Sequence, residues 1–383
     1  METINPRIIL SYVAVILCLC FASATSRADA FSELAAFSVF DKIDLNQLNA
    51  TGVKTVRGAP MSTPRFLSAQ SCYLVPRLPS REIEVLRQWS PTQHPELNVQ
   101  IHNDLPSSPG AENFARLRKL PDSGAVRALM SNSQRVATSL QISRGEAQKL
   151  TAVAGGGPAA IANFWVELLS SRARAFASAG SSAQPPYDHT GQPIRPSEEL
   201  GGMLRQQEKI RRQFSGFLDN TGIGRGGGSM HPALYWELLN VEEEGVLSLG
   251  AYYTRGGANG TYQAADALYY SSGGFYATLT LYQMWPVNFG GKPSTLVWRG
   301  DMVSAASLGS LRGIERLGSE SAMIKKSARA SIFTAGTPRI ARQTAQESSY
   351  ETNRHPLRCR CFNLRALSAG GFCGGRCLEW HHL

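Results

Sequence analysis

Between Phe275 and Trp285 the chain reads FYATLTLYQMW, in which Phe275, Ala277, Leu279, Leu281 and Trp285 share one parity and Tyr276, Thr278, Thr280 and Tyr282 the other. A side-chain period of 2 held over that length fits a strand and excludes an amphipathic helix. SSGG before it and VNFGGKP after it supply glycines that accept positive φ, and each leads into another aromatic or β-branched run. The spacing predicts an antiparallel meander with strands at Val246–Thr254, Thr261–Tyr270, Phe275–Trp285 and Thr295–Met302.

Ahead of the meander the pattern is mixed. Val53–Arg57, Arg65–Val75 and Leu97–His102 read as strands, and Arg81–Trp89 reads as a short helix stopped by Pro91. Two or three short helices are expected, at Ala111–Lys119, Ser123–Asn132 and Ser143–Leu150, the last opened by Ser143 and Glu146 at capping-box spacing. Pro158, after three glycines, opens a longer helix with Ile161, Phe164, Trp165, Leu168, Leu169 and Phe176 on one side, and Arg172 and Arg174 extend from its last turns. Ala177–Pro196 is too rich in Pro, Gly and Ser for regular structure. Glu198–Leu218 reads as one helix, and Ser229–Pro232 begins a short helix or turn that buries Tyr235, Trp236, Leu238 and Leu239. After the sheet, glycines at 309, 313 and 318 predict a broken helix over Val303–Leu317 and a clearer one, capped by Ser319, to Ile332. The fold class is therefore α+β: a C-terminal antiparallel meander covered by helices, with a helical region at about 111–218.

Composition agrees with a globular body, since 43% of residues are hydrophobic and 18% charged. The net charge of +10 is diluted on inspection: Phe333–Leu383 holds seven Arg against three Glu, and the remainder is spread without a basic run interleaved with aromatics. That distribution argues against nucleic-acid binding. Residues 1–30 carry Arg7, an apolar run from Ile8 to Ala22 and the motif Ala28-Asp29-Ala30, the pattern of a cleaved secretory signal. Such a run is shorter than the roughly 20 residues of a membrane span, so the expected product is a periplasmic or secreted protein starting at Phe31.

Few residues suggest chemistry. Gly222–Gly227 (GIGRGG) matches a dinucleotide fingerprint in letters, but a helix precedes it where that motif needs a strand, so it reads as a loop. Cys72, in the apolar run SCYLV, reads as a buried thiol. Cys359, Cys361, Cys373 and Cys377 sit in a tail without apolar periodicity, and their spacing departs from common zinc patterns. No metal, cofactor or catalytic residue is assigned.

The element order across Arg65–His102 and Gly245–Ile332, an early strand and short helix, then a meander and a last helix, resembles the START-like or helix-grip proteins. As a whole the chain also resembles exported bacterial proteins. The helix-grip resemblance implies a curved sheet gripping a C-terminal helix, with a cavity between them for an apolar ligand. Tyr252, Tyr269, Tyr282, Trp285 and Trp298 are the aromatic candidates for such a site, with Arg299 and Asp301 as polar groups that orient the ligand. Two other functions compete with binding. One is an exported hydrolase using Ser229 with His231 or Asp188 with His189; the other is an envelope assembly protein using the basic face of the Glu198–Leu218 helix and an exposed sheet edge.

Overall fold

A computed structural model describes residues 30–335 apart from Trp89, Arg225 and Arg312. The expected signal sequence, apart from its last residue, and the cysteine-rich tail beyond residue 335 lie outside the described residues. Eight strands form one sheet: β1 (Val53–Arg57), β2 (Phe66–Val75), β3 (Val99–Leu105), β4 (Ala233–Val241), β5 (Glu244–Gly256), β6 (Tyr262–Ser271), β7 (Ala277–Phe289) and β8 (Lys292–Ser304). Their spatial order is β1-β2-β8-β7-β6-β5-β4-β3, and every neighbouring pair is antiparallel. The protein is α+β, as the alternation predicts. All four expected meander strands are present, longer at most ends than their apolar runs suggested.

The helices are α1 (30–37), α2 (Leu45–Thr51), α3 (Pro79–Gln88), α4 (Gly124–Gln134), α5 (Arg144–Val153), α6 (Gly157–Ala179), α7 (Pro196–Gln206), α8 (Glu208–Leu218), α9 (Ala306–Ser310) and α10 (Gly313–Ala335). Most of them cover one face of the sheet. Leu34 and Phe37 of α1, Leu129 of α4, Leu150 of α5, Trp165 and Leu169 of α6, Met203 of α7 and Phe214 of α8 share a core with Leu279, Leu281, Trp285 and Trp298. Burying an apolar side chain of this size is worth about 1.5–3 kcal/mol, so this face supplies most of the stability. Cys72 lies in it as the expected inert thiol, its pKa raised by burial. By length and composition Arg144–Ala179 could cross a membrane, yet Ile161, Trp165, Leu168, Leu169 and Phe176 are spent on this core.

The opposite face is covered differently. Because β2 and β3 stand on opposite sides of the meander, their connection must cross it, and α3 packs over β6, β7 and β8 on the way. Ile83 of α3 meets Tyr73, Val75, Tyr282, Met284 and Val297 there. At the other end of that face Leu308 of α9 and Met323 of α10 pack with Leu67 and Val303, and Ser327 of α10 donates to Asp301 at 2.7 Å. Between these two covers the face stays open.

Three expectations are corrected. The stretch taken for a short helix or turn before Tyr235 leads into β4, whose LYWEL run is buried on both faces and so lacks the alternation that marks a half-exposed strand. The helix expected over Glu198–Leu218 is two, broken at Gln207, which leaves helical geometry at φ −114°, ψ 60° while its side chain donates to the Ala59 carbonyl at 2.8 Å. The region after the meander holds β8 to Ser304, then α9, then a single α10 that runs through Gly318 and Ser319.

Candidate functional site

The open part of the second face is a cavity of about 720 Å³, floored by β3–β8 and bounded by Leu86 and Arg87 of α3, the Pro91 and Leu97 turns and Ala330 of α10. That volume is in the range of small-molecule sites. Apolar surface comes from Leu86, Leu97, Val99 and Leu268, aromatic surface from Tyr235, Tyr252 and Tyr282, and charge from His102, Asp104, Glu237, Asp266 and Arg299.

Antiparallel register brings these groups together. His102 of β3 is the cross-strand partner of Glu237 of β4, and its Nδ1 lies 2.9 Å from the Glu237 carboxylate while Nε2 is 3.6 Å from Asp104. Burial pulls the imidazole pKa down, but the Glu237 hydrogen bond and the charges of Glu237, Asp104 and Asp266 outweigh it, leaving it raised. Tyr235, two positions from Glu237 on the same face, donates to Asp266 of β6 at 2.6 Å. To reach it the ring crosses β5 at Gly250, where a Cβ would stand 2.0 Å from the ring. Only glycine permits that crossing. Burial, with Glu237 adding to it and the Tyr235 bond opposing, pushes the Asp266 carboxyl up to about 6.

On the far side of the floor Arg299 is held by Asp301 through bonds of 2.8–3.0 Å, and its guanidinium lies 5.5 Å from the Tyr282 ring centre. Asp301 also accepts from Thr280 and Ser327, both at 2.7 Å. Arg87 donates to Thr254 at the exposed margin. The Tyr252 hydroxyl has no hydrogen-bond partner although its oxygen is buried. An unpartnered buried hydroxyl costs on the order of 1–3 kcal/mol; this oxygen is closed off beneath α3, and it is the rest of the Tyr252 side chain that borders the cavity.

The seven residues expected at a site separate by face. Tyr252, Tyr282 and Arg299 line the cavity, with Asp301 beside them. Tyr269, Trp285 and Trp298 point into the opposite core: Tyr269 stacks on Phe176 at 3.8 Å, Trp285 donates to Glu33 and Trp298 to Gln70. They are fully or almost fully buried and do not reach the cavity, because odd and even positions of one strand point to opposite faces. His102, Asp104, Glu237 and Asp266 were not expected at a site, and Tyr235, expected in the core, borders the cavity. Of the candidate hydrolase residues, Ser229 donates to Asn220, Asp188 accepts from the Arg144 amide and the His189 ring bonds the Val136 carbonyl, while His231 borders the cavity.

Glu82 of α3, completely buried with an ion-pair contact to Arg77 at 3.1 Å, is pushed by desolvation up to about 7. Glu82, Asp266 and His102 all hold a proton more tightly folded than unfolded. Stability from each is therefore present below its unfolded pKa and lost as pH rises through the folded one, so the protein is expected to weaken between about pH 4.5 and 7.5. At roughly 1.4 kcal/mol per pKa unit, Glu82 alone contributes on the order of 2–3 kcal/mol of that decline. Urea unfolding at pH 5 and pH 8 measures it: Glu82→Gln should remove the largest part of the slope and be no less stable than the parent at pH 8. A parent that is equally stable at both pH values contradicts the assignment.

Together the fold and the cavity define a class, a twisted antiparallel sheet with a packed face and a ligand-sized hollow on the other. Comparison of the chain with protein-family profiles, curated protein sequences and solved structures finds no match.

Proposed function

We propose that this is an exported binding protein that carries a small molecule, with an apolar or aromatic body and a polar group, in the cavity between the second sheet face, α3 and α10. The observation that carries the reading is the cavity itself, in which Leu86, Leu97, Leu268, Tyr235, Tyr252 and Tyr282 form apolar and aromatic walls around a few charged groups. Support for the helix-grip resemblance comes from the crossing of α3 between β2 and β3 and from the long α10 on the same face as the cavity. Export rests on the N-terminal pattern of the first thirty residues.

An environment-sensitive apolar dye, titrated into the protein and then displaced by a panel of lipids and amphiphiles, tests it. The dye should bind saturably. Leu268→Trp, which places an indole in the hollow, should abolish dye binding while changing stability by no more than about 1–2 kcal/mol, the ordinary range for a partly exposed site. No saturable binding, or a Leu268→Trp protein that binds as the parent does, would overturn the carrier reading.

A further inference from the structure

Charge is unevenly distributed around the cavity. Arg299 is occupied by Asp301, which is itself saturated by Thr280 and Ser327, and Arg87 turns to Thr254 at the margin. At the β3–β6 end, Asp104, Glu237 and Asp266 face one imidazole, that of His102. His231 borders the same hollow from the turn before β4. The rings of Tyr235 and Tyr252 stand beside Asp266, which is Tyr252's cross-strand partner. From this arrangement we infer that the β3–β6 end of the cavity is a subsite for an organic cation, the ammonium head of an amphiphilic amine, held by Glu237 and Asp266 and bordered by Tyr235 and Tyr252. The inference rests on the carrier reading above and adds the ligand's charge and its orientation.

Three features favour an organic cation over other occupants. An anion would face Glu237 and Asp266 at short range in a partly desolvated site, where like charges repel strongly. Among the described residues no three carboxylate, imidazole or thiol groups converge as metal ligands, whereas hard metal ions need several oxygens on one point. Aromatic faces next to carboxylates instead match an alkylated or primary ammonium, which gains from the ring quadrupole as well as from charge. The body of the amine then extends along Leu268 and Tyr282 toward α3.

Isothermal titration of the whole chain with three ligands of one length, decyltrimethylammonium, decanol and decanoate, at pH 7.5 and below their micellar concentrations, tests this. The cation should bind at least about tenfold more tightly than decanoate, with decanol between them; a tenfold difference corresponds to about 1.4 kcal/mol. Non-specific attraction works the other way, because the chain carries a net charge of +10 and would favour the anion. Asp266→Asn, which keeps a partner for Tyr235, should weaken the cation about five- to tenfold and leave decanol unchanged. Glu237→Gln should act in the same direction. If decanol binds but the cation has no advantage over decanoate, or if Asp266→Asn weakens both cation and decanol alike, the cavity reading stands and the cation subsite falls. When none of the three binds, the carrier reading fails first and takes the subsite with it.

Discussion

Trp298→Ala is expected to lower the unfolding free energy by about 3–5 kcal/mol, the range for removing a buried large aromatic, and to leave ligand binding per folded molecule unchanged. Trp298 is completely buried on the core face of β8. Phe37 of α1 meets it edge-on at 4.8 Å and Phe214 of α8 lies at 5.7 Å, pairs that each add about 0.5–1.5 kcal/mol beyond area. Its indole lies across Gly300, where a Cβ would come within 2.5 Å of the ring, and its Nε1 donates to Gln70 of β2 at 3.1 Å. One side chain thus joins two strands and two helices, and alanine leaves a cavity that backbone glycine cannot fill. Trp298→Phe should cost less than alanine, since it keeps most of the ring and loses the bond to Gln70. Urea midpoints with a constant m-value check the first part, and dye titration well below the midpoint checks the second. A Trp298→Ala protein with parental stability and impaired binding would mean that the indole belongs to the ligand site and not to the core.

The sheet was legible because β7 alternates and its flanking glycines mark turns; the two-faced use of that sheet was only half legible. Parity alone separates Tyr282 from Trp285 and Trp298 from Arg299, so the division of the expected residues between core and cavity was available in the spacing. The acidic end of the cavity was not. His102 and Glu237 lie 135 positions apart, and they meet because α4–α8 fold away on the other face and let β3 pair with β4. No local pattern encodes that pairing. For β4 the difficulty was different, since a strand buried on both faces has no polar parity to display. Helix breaks at Gln207 were hidden for a similar reason: the side-chain bond from Gln207 to Ala59 spans 148 positions.

Arg172→Met is expected to cost about 3–5 kcal/mol, the penalty for removing one partner of a buried ion pair. From the sequence Arg172 is expected to extend from the last turns of its helix, but the structure corrects this: position 172 follows Trp165 by seven and Leu168 by four, which puts it on the core side. The structure leaves it 1% exposed on α6, where its guanidinium gives Nε and Nη2 bonds of 2.9 and 2.6 Å to Glu146. Nη1 donates to the Pro185 carbonyl at 3.2 Å, and the plane lies 4.4 Å from the centre of the Tyr270 ring of β6. Glu146 is also the N3 residue of the α5 capping box and accepts from the Ser143 amide at 2.6 Å. A single fork therefore ties α5, α6, the loop after α6 and the sheet. Without it the half-buried Glu146 keeps only its bond from the Ser143 amide, and the capping box carries an uncompensated charge. Glu146→Gln alone strands the guanidinium and should also destabilise, whereas Arg172→Met with Glu146→Gln should recover part of the loss, because neither charge then remains. Arg172→Lys should fall short of the parent, since an ammonium cannot form the two parallel bonds. Urea unfolding of the four proteins in the cycle gives the coupling, expected at about 1–3 kcal/mol for residues that share one network. Strictly additive losses would show that Arg172 acts through its packing on Tyr270 and not through Glu146.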